Sequence, residues 1–104
     1  MRKAKVFVNG IEAGVLTENK QGKEYAFEYN EGYNGANISQ AMPSSQKLFS
    51  FSKFPPFFEG LLPEGNQLEG LLKLNKIDRN DLFSQLMAVG DDMVGAVTVK
   101  EIPE

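Results

Sequence analysis

Residues 57–65 read Phe-Phe-Glu-Gly-Leu-Leu-Pro-Glu-Gly, and the spacing of apolar residues along the chain changes at this stretch. Apolar residues at helical spacing follow Pro56, which can occupy the first position of a helix because its missing N–H needs no partner there. Pro63 ends the pattern, so the stretch predicts a short apolar helix followed by a tight turn. That turn would display the carboxylate of Glu64 and a bare backbone on the surface.

Upstream of this stretch, apolar and polar residues alternate, which is the pattern of half-buried strands. Residues 3–8 and 11–16 show the alternation on either side of Asn9-Gly10. Asn-Gly is the preferred pair for a type I′ turn because both positions need a positive φ. The beginning of the chain therefore predicts a β-hairpin.

A stripe of aromatic residues follows the hairpin, with Tyr25, Phe27 and Tyr29 at alternate positions. This spacing predicts a third strand with one aromatic face. Such a face could stack on bases or sugars, but a small sheet more often buries it in the core. Residues 36–42 alternate weakly, and residues 48–51 suggest another short extended piece.

Two helices are predicted after the Pro-Glu-Gly turn. Leucines at i, i+3 and i+4 spacing place the first over about residues 67–74. Asp78 is the predicted N-cap of the second, and Gly90 lies just past its end. The buried stripe of this second helix consists of Leu82, Phe83, Leu86 and Met87. Residues 93–100 return to a strand pattern.

The order of these elements predicts a fold of the α+β class. Strands come first, helices follow, and a final strand must travel back to pair with the early ones. We expect a small, mostly antiparallel and partly barrel-like β-sheet packed with two to three α-helices in the C-terminal half. A chain of 104 residues is one domain on length grounds, covering residues 1–104.

Charge and hydropathy argue against two classes of partner. The net charge is −3, so the domain lacks the positive surface that binding to a phosphate backbone needs. We expect no direct binding to nucleic acid, and we interpret Arg2, Lys3 and Lys5 as solubilising. No apolar run approaches the ~20 residues of a membrane span, so we expect a cytoplasmic protein without membrane contact.

Residue usage also argues against catalysis. The chain has no cysteine and no histidine, which removes disulfides, thiolate and imidazole metal sites and the Ser-His-Asp triad. We therefore expect no enzyme activity, no cofactor and no metal. Residues 60–65 and 90–95 have the glycine spacing of a phosphate-binding loop, but neither is followed by the required Lys and Ser or Thr.

Asp91-Asp92 is the remaining candidate for metal binding. Adjacent carboxylates supply the oxygen ligands that Mg²⁺ prefers, but two of them rarely complete an octahedral site unaided. The favoured interpretation is a solvated turn between the second helix and the last strand.

Two motifs together resemble the N-terminal subdomain of HipA-type serine/threonine kinase toxins. They are residues 57–65 and residues 89–97, which read Val-Gly-Asp-Asp-Met-Val-Gly-Ala-Val. Residues 6–16 and 38–43 support the resemblance, which extends from about residue 4 to about residue 99. In HipA-type proteins the phosphate loop, catalytic Asp and Mg²⁺ ligands lie in later domains. The chain thus looks like a free-standing version of the subdomain.

A free-standing subdomain of this family is similar to HipS, the small subunit of three-part HipBST toxin–antitoxin systems. The resemblance implies an antitoxin-type subunit that binds and neutralises a HipT-like serine/threonine kinase. It also implies a HipB-like helix-turn-helix protein in the same complex. The partner-binding residues that it implies are Phe57, Phe58, Leu61, Pro63, Glu64, Gly65, Asn66 and Gln67.

The resemblance further implies how the kinase is inhibited. The turn at residues 63–67, backed by the helix before it, would press against the kinase near its nucleotide or substrate cleft. HipS-like inhibition is associated with a bulky aromatic residue after the Pro-Glu-Gly turn. This chain has Asn66 there, so inhibition would depend on Glu64, Asn66 and backbone contacts.

Two other functions are compatible with the same residues. The chain could be a structural module that completes a kinase, or bridges it to its DNA-binding partner, without inhibiting it. It could also be the excised N-terminal domain of a full-length HipA-type kinase. A stand-alone enzyme is the poorest fit because the usual bases, nucleophile pairs and phosphate loop are missing.

Overall fold

A computed structural model of the chain describes residues 1–91 and 95–103. The strands are β1 (Arg2–Val8), β2 (Ile11–Lys20), β3 (Glu24–Tyr29), β4 (Leu48–Phe51) and β5 (Val97–Ile102). The helices are α1 (Pro56–Glu59), α2 (Gly65–Asn75) and α3 (Leu82–Val89). This arrangement confirms the predicted α+β fold, with its helices in the C-terminal half. None of the helices in the described residues is long and apolar enough to cross a membrane.

The five strands form one antiparallel sheet in the order β4-β3-β2-β1-β5. The last strand returns to pair with the first, as predicted, and Val6 lies opposite Val99. Because β4 and β5 lie at opposite edges, the sheet is open. It is therefore barrel-like only loosely.

The β1–β2 hairpin is confirmed. Val8 pairs with Ile11 across the turn. Asn9 and Gly10 have φ values of 52° and 82°, as a type I′ turn requires. Strand β2 continues past the predicted residue 16 to Lys20 because its second half pairs with β3.

The aromatic stripe of β3 lies in the core, which confirms the interpretation favoured for it. Tyr25, Phe27 and Tyr29 are all buried. The rings of Phe27 and Tyr29 meet edge to face at 4.9 Å between centroids, a geometry that aromatic pairs prefer. Phe58 of α1 packs on the same cluster, with its ring centroid 6.2 Å from that of Phe27. Helices and sheet thus share one core.

The buried hydroxyl of Tyr29 holds the loop between β3 and β4. It donates a hydrogen bond to the carbonyl of Met42 and accepts one from the N–H of Ile38 at 3.1 Å. Residues 36–42, which alternate weakly, form no strand. They contain a single β-bridge between Ser39 and Met42.

Helix and strand boundaries in the C-terminal half also differ from prediction. Helix α2 begins at Gly65 instead of residue 67. Asp81, not Asp78, caps α3 and accepts from the Ser84 N–H at 3.1 Å, whereas Asp78 accepts from the Asn80 N–H in the preceding turn. Strand β5 starts at residue 97, after a bend at residues 95–96. The predicted start at residue 93, and Asp92 of the candidate Asp91-Asp92 pair, lie outside the described residues.

Helix α3 packs closely against β5 at Gly90. The Val99 N–H donates to the Gly90 carbonyl at 3.1 Å. A Cβ atom on Gly90 would lie 2.1 Å from the Val99 carbonyl oxygen, which is far inside van der Waals contact. Only glycine therefore fits this approach without displacing the backbone.

Arg2, at the start of β1, joins three strands to α3. Its Nε donates to Glu18 Oε1 at 2.7 Å, and its Nη2 donates to Asp81 Oδ1 at 2.8 Å. The Tyr25 hydroxyl donates to the other Glu18 oxygen at 2.9 Å. The Arg2 guanidinium carbon lies 4.9 Å from the centroid of the Phe83 ring. The interpretation of Arg2 as merely solubilising is therefore wrong.

This network also changes the ionisation of its members. Partial burial by itself would raise the pKa of Asp81, but hydrogen bonds from Arg2 and Ser84 outweigh it and leave the pKa below its usual value. Burial would likewise lower the pKa of Arg2, yet its bonds to Glu18 and Asp81 raise it overall. Both side chains are consequently charged at neutral pH.

Candidate functional site

The predicted docking stretch begins at α1, a single helical turn. Pro55 precedes the turn with φ −58° and ψ 128°, and Pro56 occupies its first position, as predicted. The two aromatic residues that follow face different environments. Phe58 is fully buried in the core, whereas Phe57 is half-buried and packs against the Phe58 ring at 5.2 Å between centroids.

The chain between α1 and α2 stays close to the core. The Leu61 N–H donates to the Phe58 carbonyl and the Leu62 N–H to the Glu59 carbonyl, each at 3.1 Å, so tight turns extend α1. Leu61 and Leu62 are half-buried and pack against the core cluster from outside. Pro63 is also half-buried. The segment thus presents part of an apolar surface to solvent.

The reversal into α2 depends on Gly65. Glu64 is extended, with φ −128° and ψ 165°, and Gly65 then adopts φ +59°. A Cβ atom at Gly65 would meet nothing within 4 Å. Glycine is therefore favoured here because of the left-handed backbone, since the site itself has room for a side chain.

Three exposed polar side chains lie at this reversal: Glu64, Asn66 and Gln67. No hydrogen bond or ion pair in the described part of the chain uses any of them, and Glu64 does not cap the helix with its side chain. A carboxylate beside a helix N-terminus is electrostatically favoured there. The group offers one anion and two amides to another molecule, and it contains no nucleophile paired with a base.

The structure places the eight predicted residues along one continuous stretch. We call the exposed and half-buried members the α1–α2 surface: Phe57, Leu61, Pro63, Glu64, Gly65, Asn66 and Gln67. Phe58 differs from these, because its burial leaves no side-chain surface for a partner. Residues 65–67 also differ from the predicted irregular turn, since they form the first turn of α2, where backbone N–H groups lack helical acceptors.

Helix α2 carries apolar residues that were not predicted to be exposed. Leu72 is its buried residue, whereas Leu71 is half-buried and Leu74 is 85% exposed. Leucines at 68, 71, 72 and 74 cover more than one side of a helix, because each residue turns it by about 100°. That wide spread is the signal in the sequence that at least one leucine must face solvent.

The described residues contain no cluster of three or more acidic side chains that could hold a metal ion. Asp91 is exposed. One ion pair joins α2 to the chain that follows it: Arg79 donates to both carboxylate oxygens of Glu69, to Oε2 at 2.8 Å. This pair is exposed and stabilises the fold only weakly.

Comparisons with known proteins agree with this architecture. A protein of Haemophilus influenzae described as uncharacterized is 35% identical over 101 residues, covering 97% of this chain and 93% of that protein. A solved structure, the N-terminal domain of HipA toxin, superposes with a TM-score of 0.78 at 31% identity, covering 100% of this chain and 95% of that one.

A third relative is much longer. The protein described as putative kinase Y4mE of Sinorhizobium fredii is 32% identical over 109 residues, and the match covers all of this chain but only 25% of that protein. The family model for the HipA N-terminal domain matches residues 4–100. The chain therefore belongs to the HipA N-terminal domain family.

Proposed function

We propose that this chain is an antitoxin-type subunit that binds and neutralises a HipT- or HipA-like serine/threonine kinase within a toxin–antitoxin complex. The observation that carries the proposal is family membership over residues 4–100, in a domain that exposes the α1–α2 surface and whose described residues contain no recognisable catalytic set. The chain has no chemistry of its own in this role. It acts by occupying the surface of the kinase.

The α1–α2 surface has the composition of a docking site. Phe57 and Leu61 are half-buried apolar side chains on a rigid support, since the neighbouring Phe58 is fixed in the core. Aromatic anchors of this kind contribute most of the binding energy in many interfaces. Glu64 adds a carboxylate that would pair with an Arg or Lys of the kinase, and such a pair fixes orientation.

Inhibition would follow if this surface meets the kinase near its nucleotide or substrate cleft. Asn66 lies at the exposed beginning of α2 and has an amide that can donate and accept hydrogen bonds. It is too small to fill a cleft as an aromatic side chain would. The block therefore depends on polar contacts of Glu64 and Asn66 and on the backbone at Gly65.

The test mixes the chain with a HipT-like kinase, which the proposal expects to be encoded beside it. We expect a stable complex and reduced autophosphorylation. The double variant Glu64→Ala with Asn66→Ala should restore autophosphorylation while the complex persists. Asn34→Ala with Glu101→Ala is the matched control, because it removes the same exposed side-chain types elsewhere and should inhibit like the original chain. Binding without any change in autophosphorylation would rule out inhibition.

One observation favours a second function, that of a non-inhibitory structural module. The region similar to this chain makes up 25% of putative kinase Y4mE, so the domain occurs there as part of a longer protein. Here it would complete a kinase or bridge it to a HipB-like helix-turn-helix protein. Unchanged kinase activity with both double variants, in an intact complex, would favour this module.

The proposal assigns DNA contact to the HipB-like subunit. This chain has a net charge of −3, which disfavours direct binding to phosphate backbones. We place the complex in the cytoplasm, where its kinase would meet its substrates. A gel-shift assay should detect DNA binding only when the HipB-like subunit is present.

A further inference from the structure

The two edges of the sheet differ in how their backbone groups are used. On β5, the Val99 N–H points away from β1 and donates to the Gly90 carbonyl at 3.1 Å. The end of α3 thus covers part of that edge. The edge of β4 that faces away from β3 is the other candidate, because an unpaired strand edge is a place where another chain can add a strand.

The register of β4 shows which way its backbone groups point. The Tyr29 N–H donates to the Lys47 carbonyl at 2.9 Å. Hydrogen-bonded pairs alternate along an antiparallel ladder, so Phe49, two positions further along, also bonds to β3. The N–H and C=O groups of Leu48 and Ser50 therefore point outward, away from the sheet.

Three of these four outward groups are free. The Leu48 carbonyl accepts a hydrogen bond from the Gln46 side chain at 2.8 Å. Among residues 1–91 and 95–103, no hydrogen bond uses the Leu48 N–H or either backbone group of Ser50. Two donors and one acceptor are thus available to an added strand. The four residues of β4 also include no lysine, proline or bulge, the devices that usually block such pairing.

A largely apolar pocket lies beside this free edge, on the side of the sheet where the helices pack. Its volume is about 270 Å³. Met42, Phe49 and Phe57 are among the apolar residues that line it, Gln46 and Ser50 are its polar members, and no charged residue lines it. A cavity of roughly 150 Å³ already admits a benzene molecule, so the pocket has room for one leucine or phenylalanine side chain.

A strand added along this edge would place one side chain in the pocket. Its residues opposite Leu48 and Ser50 would make the backbone hydrogen bonds, and the residue between them would lie opposite Phe49. Directly opposed residues have their side chains on the same face of a sheet, so that residue would point with Phe49 toward the pocket. In this mode of binding the backbone bonds supply affinity and the pocket supplies specificity.

The end of β4 that leads to α1 is positively charged. Three lysines and one glutamate lie there, all of them exposed: Lys53 follows the strand, and Lys20, Lys23 and Glu24 line a hollow next to Ser52. No ion pair of the described residues uses any of these four side chains. The excess of lysine favours an acidic partner at this end.

The other end of β4 has the opposite excess. Lys47 precedes the strand and pairs with Glu28 at 3.9 Å and with Glu31. One cation and two anions leave this end negative. An acidic residue of a bound segment is therefore favoured beyond Phe51 and disfavoured beside Leu48.

We propose that β4 binds an extended segment of another protein, which joins the sheet as a sixth strand antiparallel to β4. The segment carries acidic residues first and one large apolar side chain after them. Antiparallel pairing matches the rest of the sheet and is the slightly more stable kind per residue. The acidic residues come first because an antiparallel segment begins beside the positive end of β4.

A second copy of this chain fits the edge poorly. Pairing of β4 with itself would set Lys47, Phe49 or Phe51 of one copy beside the pocket of the other. The lysine is charged, and both rings are half-buried and pack against their own core. None of the three is thus suited to fill the pocket of a mate, whereas a separate extended segment has its side chains free.

The experiment titrates a synthetic peptide into the chain alone and follows binding by NMR. The peptide is Asp-Asp-Thr-Thr-Leu-Thr-Thr with blocked ends, so that its fourth residue pairs with Ser50 and its leucine lies opposite Phe49. We expect a dissociation constant between about 10 μM and about 1 mM, as for one apolar anchor and few hydrogen bonds. The reversed sequence is the matched control and should bind at least about threefold more weakly, because its acidic end meets the negative end of β4.

Two changes to the peptide test the pocket and the backbone separately. Alanine in place of leucine should weaken binding at least about fivefold, because the pocket is then unfilled. N-methylation of the fourth residue removes the N–H that would donate to the Ser50 carbonyl. The loss of that hydrogen bond should weaken binding about three- to tenfold.

Variants of the chain test the same contacts from the other side. Ser50→Pro removes the outward N–H and should weaken binding at least about tenfold, since the proline ring also takes the place of the added strand. Ser50→Ala keeps the backbone and should bind like the original chain. Lys53→Glu should weaken binding of the acidic peptide and strengthen binding of a peptide with lysines in place of its two aspartates.

Each outcome decides the proposal. Binding that requires the leucine and the fourth N–H, and that is lost with Ser50→Pro but kept with Ser50→Ala, supports it. No binding in the expected range, or binding that survives N-methylation unchanged, overturns it, even if thermal unfolding shows Ser50→Pro to be misfolded. Self-association of the chain that N-terminal acidic peptides do not displace would assign the edge to a second copy and also overturn it. Failure leaves the proposed kinase inhibition unaffected, because the test contains no kinase and leaves Phe57 of the α1–α2 surface unchanged.

Discussion

The guanidinium of Arg2 donates to the Asp81 carboxylate at 2.8 Å, joining two residues that are 79 positions apart in the chain. Asp81 is at the same time the N-cap of α3 and accepts a hydrogen bond from the Ser84 hydroxyl at 2.7 Å. One carboxylate therefore fixes both the beginning of a helix and its position against the sheet.

The coupling between Arg2 and Asp81 should be measurable in a double-mutant cycle. Arg2→Ala and Asp81→Asn should each lower the free energy of unfolding, and the coupling energy should be about 1–2 kcal/mol because both side chains are largely withdrawn from water. Urea unfolding of the four proteins gives the value. Arg79→Ala is the control, since its pair with Glu69 is exposed and should change stability little. Additive effects of Arg2 and Asp81 would contradict the prediction.

Stability should depend on acidic pH through Asp81. Its pKa is lower when folded, so its stabilisation is complete above the usual carboxyl pKa of about 3.9 and disappears as pH falls through the folded value. The difference in unfolding free energy between the original chain and Asp81→Asn should be constant from about pH 6 to 8 and shrink below about pH 4. Urea unfolding at a series of pH values measures it, and an undiminished difference at about pH 2.5 would refute the assignment.

Two glycines should respond oppositely to the same substitution. Gly90→Ala should destabilise the fold by about 1–3 kcal/mol, because the new methyl group would collide with the Val99 carbonyl. Gly70→Ala, inside α2 and with nothing within 4 Å, should instead stabilise by about 0.5–1 kcal/mol. Thermal or urea unfolding compares them. Equal effects would show that the α3–β5 contact is looser than described.

Substitutions of the adjacent residues Phe57 and Phe58 should affect stability and kinase binding differently. Phe58→Ala removes a fully buried ring and should cost about 3–5 kcal/mol of stability. Phe57→Ala removes a half-buried ring and should cost clearly less, while weakening kinase binding if the α1–α2 surface is the docking site. Urea unfolding and titration against the kinase measure the two effects. Full affinity with Phe57→Ala would remove that residue from the interface.

Two substitutions of Gly65 should show whether glycine is needed there because of its positive φ or because a side chain would be crowded. Gly65→Ala should destabilise by about 1 kcal/mol because a residue with a Cβ resists positive φ. Gly65→Asn should cost less, since asparagine tolerates the left-handed region better than alanine does. Urea unfolding distinguishes them. A larger loss for the asparagine variant would indicate that side-chain crowding, and not the backbone, makes glycine necessary.

Local chemistry explains which parts of the fold could be predicted. The hairpin was predictable because Asn9-Gly10 dictates its own turn, and the third strand because Tyr25, Phe27 and Tyr29 share a period of two. The N-cap of α3 was not predictable, because Asp78 and Asp81 are both aspartates close to the beginning of the helix, and either could cap it. Asp81 is held in place by a side chain from the other end of the chain. Such pairings depend on the finished packing.

The sequence predicted the position of the candidate site but not the burial of each of its side chains. Its motif located the stretch from Phe57 to Gln67, but sequence spacing could not decide which of two neighbouring rings faces the core. Packing against Phe27 decides it in favour of Phe58. The exposure of Leu74 was missed for a related reason, since a helix rich in leucine does not reveal which side its neighbours cover.

The pairing of β5 with β1 has a consequence for synthesis in the cell. Residues 3–8 pair with β2 on one side and with residues 97–102 on the other, so the sheet cannot be completed before residue 102 has left the ribosome. Until residue 102 clears the exit tunnel, one side of β1 has no neighbouring strand. Folding of this domain must therefore follow translation of its last strand, and chaperones would meet it with that edge open.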